Sequence, residues 1–218
     1  MTGRQAKPKK TAAKPAEPPR AWQRMLSGRR LDLLDPSPID VEIEDIAHGL
    51  ARVARWNGQT IGPIPFNVAQ HSVIVEQFCG EMKPGWPSKW RLAALLHDAP
   101  EFVIGDMISP FKAQLGGQYK VIESRLMQAI HLRFGLPAHL PEAVEKLIKR
   151  ADRACAYFEA VQLAGFDVAE ARKFFGAPKD VTPLTIKAMT TLDAQKAYLK
   201  RFSELSKAVA AESSDHNR

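Results

Sequence analysis

Four side chains in this 218-residue chain have the types needed for metal chemistry: His71, the adjacent pair His97-Asp98, and Asp152. Each alone has an ordinary structural reading, and Asp152 beside Arg150 and Arg153 reads equally well as an ion-paired surface acid. Their setting shifts the balance. His97-Asp98 closes the apolar run Leu92-Ala-Ala-Leu-Leu96, where a charged aspartate costs several kcal/mol unless it is paired or metal-bound. Two imidazoles and two carboxylates form a borderline-to-hard donor set suited to one divalent ion (Co, Mn, Mg, Fe or Zn), with positions left over for water and substrate. Adjacent helical residues point about 100° apart. His97 and Asp98 therefore reach one ion only over the seam between them or where the helix end distorts, as Pro100 permits.

Further groups could serve such a centre. Glu101 falls four residues after His97 and three after Asp98, on the same helical face if the turn persists, where a carboxylate beside bound water can act as general acid or base. Asp106 follows Gly105 on a predicted loop and reads either as a second functional carboxylate or as a turn residue. Arg55 suits a phosphate because a guanidinium offers paired donors and stays charged, and Lys112 would add a second cation. Both also read as solvated surface cations, and Trp56 reads as a core residue. His48 lies on a predicted helix without a ligand role, while His131, His139 and His216 are not site candidates.

The elements that must position these residues are helices. Ile46, Leu50, Val53 and Ala54 form one apolar stripe that stops near Asn57-Gly58. Asn67-Val-Ala-Gln70 has the form of a capping box, with Gln reaching back to the cap, and starts a helix that carries His71 and ends at Gly80. Further helices are predicted over Trp90–Ala99, Tyr119–Phe134 and Pro141–Leu163, and a short one begins at Asp167. The last is expected from Thr182-Pro183, with proline at the first helical position, to about Ala210. Strand signals are scarce and no repeat is visible. The fold class is all-α: a single helical domain over residues 21–210, a disordered basic arm over 1–20 and a flexible end over 211–218.

Composition fits this division. The chain is 45% hydrophobic and 25% charged with a net charge of +7, and Met1–Arg20 alone holds six basic residues against Glu17. The remainder is nearly balanced, so nucleic acid is not an expected partner of the domain. Its arm of Pro, Lys and Ala cannot offset its ordering entropy and lacks the apolar run of a signal peptide. No stretch of about 18 apolar residues offers a membrane span. Two cysteines, Cys79 and Cys155, cannot build a secreted disulfide framework, so a reducing, cytoplasmic setting is expected. Apolar positions around Phe174-Phe175 and Leu199 are candidates for a homodimer surface.

Four ordered motifs carry a resemblance: Ala69-Gln-His71-Ser, Leu95-Leu-His97-Asp98-Ala-Pro-Glu101, Gly105-Asp106-Met-Ile-Ser-Pro-Phe-Lys112, and Lys149-Arg-Ala-Asp152-Arg-Ala-Cys-Ala-Tyr. Together they resemble the motif series of HD-domain metal-dependent phosphohydrolases, closest to the YfbR-like 5′-deoxynucleotidases, over roughly Asp40 to Gly165. The resemblance implies that His71, His97, Asp98 and Asp152 ligate one divalent ion, that Glu101 is the catalytic acidic residue and that Asp106 is a second functional carboxylate. It also likens Arg55-Trp56 to a pair set against substrate phosphate and sugar, although the following segment, Asn57 to Pro65, departs from the family pattern. The implied activity is hydrolysis of the 5′-phosphate ester of (deoxy)nucleoside monophosphates. The alternatives are release of tripolyphosphate from deoxynucleoside triphosphates, and a non-catalytic nucleotide-binding protein.

Overall fold

The computed structural model describes residues 20–108, 111 and 117–215. The basic arm over 1–19, Lys112 and His216 lie outside the described residues. A small antiparallel hairpin opens the described chain, β1 (Trp22–Arg24) against β2 (Arg30–Asp32), with Gln23 opposite Leu31. It buries Leu31 completely and was not signalled by any strand pattern. Eight α-helices follow among the described residues: α1 (Ile43–Leu50), α2 (Val68–Met82), α3 (Ser88–Leu95), α4 (Glu101–Ile104), α5 (Gly117–Arg133), α6 (Glu142–Gln162), α7 (Val168–Phe175) and α8 (Thr191–Asp215).

Helix α2 is the hub. It packs on α3, α6 and α8, so its apolar residues Val68, Val75 and Phe78 meet Leu92, Leu95 and Tyr198 in one continuous core. Such burial on several sides leaves little of the amphipathic contrast that a surface helix shows. Glu76, on the same helix, is 1% exposed and is held by Arg201 through bonds of 2.7 and 2.8 Å, with Arg91 as a further partner. Paired this way, the buried charge is tolerated.

The helix ends show which local signals hold. Asn67 caps α2, its side chain accepting from the Gln70 N–H at 3.0 Å. The other half of the expected capping box does not form. Gln70 instead donates to the Lys187 carbonyl at 2.7 Å and accepts from the Met189 N–H at 2.9 Å. Gln162 repeats the device, donating to the Leu184 carbonyl and accepting from the Ile186 N–H, both at 2.9 Å. These two glutamines hold residues 184–189 non-helical, so the last helix starts at Thr191 and not at Pro183. Ile186 is thereby buried with Phe66 and Leu163 in a second apolar cluster. Thr190 supplies the cap, its hydroxyl accepting from the Asp193 N–H at 3.2 Å, and α8 continues to Asp215, past Ala210.

Other ends moved as well. Helix α1 stops at Leu50 and not near Asn57, and α2 runs past Gly80 to Met82. Helix α3 ends at Leu95, before His97-Asp98. Phe174 is 55% exposed, as a dimer face would require, but Leu199 packs against the core.

Candidate metal centre and its supporting carboxylate

The four ordered candidates meet. His71, on the first turn of α2, places its Nε2 3.3 Å from His97 Nε2, 3.3 Å from Asp152 Oδ1 and 3.4 Å from Asp98 Oδ2, and Asp98 Oδ2 is 3.3 Å from His97 Nε2. Helix α3 makes this meeting possible by ending. After Leu95 the backbone tightens into i to i+3 bonds, Ala99 N–H to Leu96 O at 2.9 Å and Glu101 N–H to Asp98 O at 3.0 Å, which turn His97 and Asp98 toward the same point. The released Leu95 carbonyl accepts from the buried Tyr198 hydroxyl of α8 at 3.2 Å. Burial and the nearby Asp98 charge push that phenol's pKa up, so it remains a donor.

Hydrogen bonds behind the candidate ligands orient their rings. His97 Nδ1 lies 2.9 Å from the Ala94 carbonyl, which can only accept, so a ring proton sits there and Nε2 is the nitrogen that faces the centre. His71 Nδ1 lies 2.6 Å from Glu159 Oε1, and its Nε2 likewise faces the centre. His71 Nε2 thus stands 3.3–3.4 Å from His97 Nε2, Asp98 Oδ2 and Asp152 Oδ1, a crowding of donor atoms that protons on the imidazoles or a shared cation relieve. Donors bonded at about 2.0–2.2 Å to one ion lie roughly 3 Å apart, so the residues present fit a divalent ion.

The surrounding field favours positive charge at this point. Burial and the Arg55 charge act against a proton on His71, but Glu159 and the Asp152 hydrogen bond overrule them and hold its pKa well above the ordinary value. Burial raises Asp98, yet His97 and His71 keep it well below the usual carboxylate range. Side-chain exposure rises from 0% at His71 through 10% at His97 and 23% at Asp98 to 37% at Asp152. The open side of the centre therefore lies toward Asp152, where a cleft of about 630 Å³ is lined by His97, Asp152, Lys120 and Lys149. His131, read from the sequence as lying on a helix face, is buried on α5 and lines the same cleft, with burial lowering its pKa.

Glu159 was not among the sequence candidates. It lies two helical turns beyond Asp152 on α6, is fully buried, and has donors on both oxygens. Oε1 accepts from His71 and from Cys155 Sγ at 3.2 Å, and Oε2 from the Trp56 indole at 2.7 Å and Arg55 Nε at 3.3 Å. Burial would raise its pKa, but Arg55 and His71 drive it well below the usual range. A carboxylate that orients a ligating imidazole in this way is a recurrent support of metal sites.

Arg55 and Trp56 reach the centre through backbone closure. Ala54 and Asn67 form an isolated antiparallel bridge, so the chain from Arg55 to Phe66 loops out and returns beside the start of α2. The departure from the family pattern lies inside that loop. Arg55 is nearly buried and spans two carboxylates, Asp106 at 3.1 Å and Glu159 at 3.3 Å, so its charge is engaged with protein groups in this structure. Gly105, at φ 76°, ends α4 and turns Asp106 toward it. Trp56 packs against Phe166 and Phe175, each with ring centres 5.7 Å away. It and Asn57 adopt left-handed φ of 58° and 51°, which costs roughly 1–2 kcal/mol per residue and is held by the Glu159 and aromatic contacts. Glu101 opens α4 as a buried carboxylate on the turn that carries His97 and Asp98.

Fold and site together define an all-helical protein with a His/Asp centre at the wall of an open cleft. The family model for YfbR-like 5′-deoxynucleotidases matches residues 45–206, and the chain belongs to that family of hydrolases. It is 61% identical to an uncharacterized protein of Rhodobacter capsulatus over 74% of this chain and 83% of the relative. It is 33% identical to the uncharacterized protein YfdR of Escherichia coli K12 over 45% of this chain and 49% of that one. A 5′-deoxynucleotidase of Cronobacter sakazakii is 28% identical over 44% of this chain and 60% of that protein. Among the described residues, no helix is long and apolar enough to cross a membrane.

Proposed function

We propose that this protein hydrolyses the 5′-phosphate ester of (deoxy)nucleoside monophosphates with one divalent ion held by His71, His97, Asp98 and Asp152. The observation that carries the reading is the convergence of two imidazole nitrogens and two carboxylates, with His97 and Asp152 at the wall of a cleft of about 630 Å³. Family membership and the name of the Cronobacter relative support a nucleotide monoester as substrate. When bound there, a divalent ion would supply Lewis-acid polarisation of a phosphoryl oxygen and a more acidic water.

The protein's own groups do the rest. Glu101 exchanges a proton with the attacking water or the leaving 5′-oxygen, as a carboxylate beside such a centre can. Arg55, ordered by Asp106 and Glu159, offers guanidinium donors to the phosphate as charge develops, and Trp56 borders the nucleoside. Asp106 sets the Arg55 geometry and shares its charge. Lys112, outside the described residues, is the proposed second cation.

Phosphorus NMR of products formed from dAMP and, separately, from dATP tests the reading. It requires inorganic phosphate from dAMP. Tripolyphosphate from dATP, with dAMP untouched, would replace it with the triphosphohydrolase alternative, and silence from both with metal bound would remove the nucleotidase assignment.

A further inference from the structure

Helix α6 borders a second recess beside the proposed catalytic cleft, the two sharing Lys149 in their walls. This recess, about 430 Å³, is lined by Lys146, Lys149, Arg150 and Arg153 and faced by Phe175 and Lys179. The four helix cations stand at positions i, i+3, i+4 and i+7, one face of α6 spanning about 10 Å at the helical rise. Lys146 is paired with Glu142 at 2.6 Å, and Arg150 lies 3.6 Å from Asp180. Among the described residues, Lys149, Arg153 and Lys179 have no ion-pair partner. A self-contained fold has no need to gather like charges around a hollow, since their repulsion opposes it.

We propose that this recess binds a small ligand carrying two or more contiguous phosphates, either inorganic polyphosphate or the tail of a nucleoside polyphosphate, outside the catalytic cleft. Cations on successive helical turns match a chain of phosphates, and Arg153 adds a planar fork of donors suited to their oxygens. Glu142 and Asp180 engage Lys146 and Arg150, which leaves Lys149, Arg153 and Lys179 for an anion, a short set of free charges that suits a short phosphate chain better than a continuous nucleic-acid backbone. Its volume lies within the range of small-molecule sites.

Isothermal titration of the full chain, in buffer containing the divalent ion, with inorganic tripolyphosphate, dATP and a short single-stranded oligonucleotide tests this without relying on turnover, so its outcome is separate from the nucleotidase reading. Wild type, Asp98→Ala, the double variant Arg153→Glu/Lys179→Glu and the milder Arg153→Gln/Lys179→Gln are compared. The expected result is tripolyphosphate binding that Asp98→Ala retains and that both double variants weaken by about tenfold or more, with unfolding midpoints unchanged. Tighter binding of dATP than of tripolyphosphate would assign a nucleotide, and equal binding would assign the phosphate chain alone. The proposal is overturned if the double variants bind like wild type, if Asp98→Ala abolishes all tripolyphosphate binding, or if only the oligonucleotide binds.

Discussion

Glu159 shows how much of the site rests on a residue that touches no substrate. Its Oε1 orients the His71 ring while its Oε2 holds Arg55 and Trp56, so one buried carboxylate joins the candidate metal centre to the proposed phosphate-binding pair. Glu159→Gln leaves Arg55 short of a charge partner and weakens the orientation of His71. It is expected to lower stability by about 3 kcal/mol, read by denaturant unfolding, and to weaken metal affinity by about 10–100-fold, read by competition with a chelating dye. The meeting of the four candidates was legible from two signals: His97-Asp98 closes an apolar run where charge needs a partner, and His71 and Asp152 stand in motifs that resemble the same series. The same reasoning applies to Glu159, seven residues after Asp152 on one helix and set among Ala154, Cys155, Ala156 and Phe158. Spacing from Asp152 was the available signal. What no sequence pattern revealed was that Arg55 would pair with Asp106 and Glu159, because 51 and 104 positions separate those partners.

At the scale of elements, the placement of Glu101 depends on how closely α4 approaches α1. A Cβ at Gly49 would stand 2.7 Å from the Phe102 carbonyl oxygen, so only glycine lets α4 lie where it does. Gly49→Ala is therefore expected to cost about 1–3 kcal/mol and to lower turnover more than metal content, as α4 and its first residue shift together. Titrating unfolding and metal stoichiometry of that variant side by side checks this. Helix existence was readable almost throughout, but ends were not. Thr182-Pro183 and Thr190 both carry cap chemistry, and the choice between them falls to Gln70 and Gln162, which bond residues 184–189 from other helices. The end of α3 at Leu95 likewise depends on the Tyr198 hydroxyl from α8. Local signals propose a start or stop, and a distant side chain selects one.

Across the whole molecule, the helices bury both cysteines in the main core. Burial and the Glu76 charge push the Cys79 thiol up to about 12, and burial with the Glu159 charge pushes Cys155 up to about 12 as well. Because the raised values leave the neutral thiol dominant well above pH 8, the folded protein should take up no iodoacetamide there, whereas the unfolded chain should take up two equivalents by mass spectrometry. Rapid alkylation of the native protein would show that the core opens at one of these sites.

His71, His97, Asp98 and Asp152 are proposed to hold one divalent ion while Glu101 serves the chemistry without holding it. Native mass spectrometry of ion stoichiometry in wild type, Asp98→Ala and Glu101→Gln tests that division most directly. One ion per chain is expected in wild type and in Glu101→Gln, with turnover lost in the latter, and no retained ion in Asp98→Ala. An ion held by Asp98→Ala as tightly as by wild type, or an ion lost from Glu101→Gln, would contradict it.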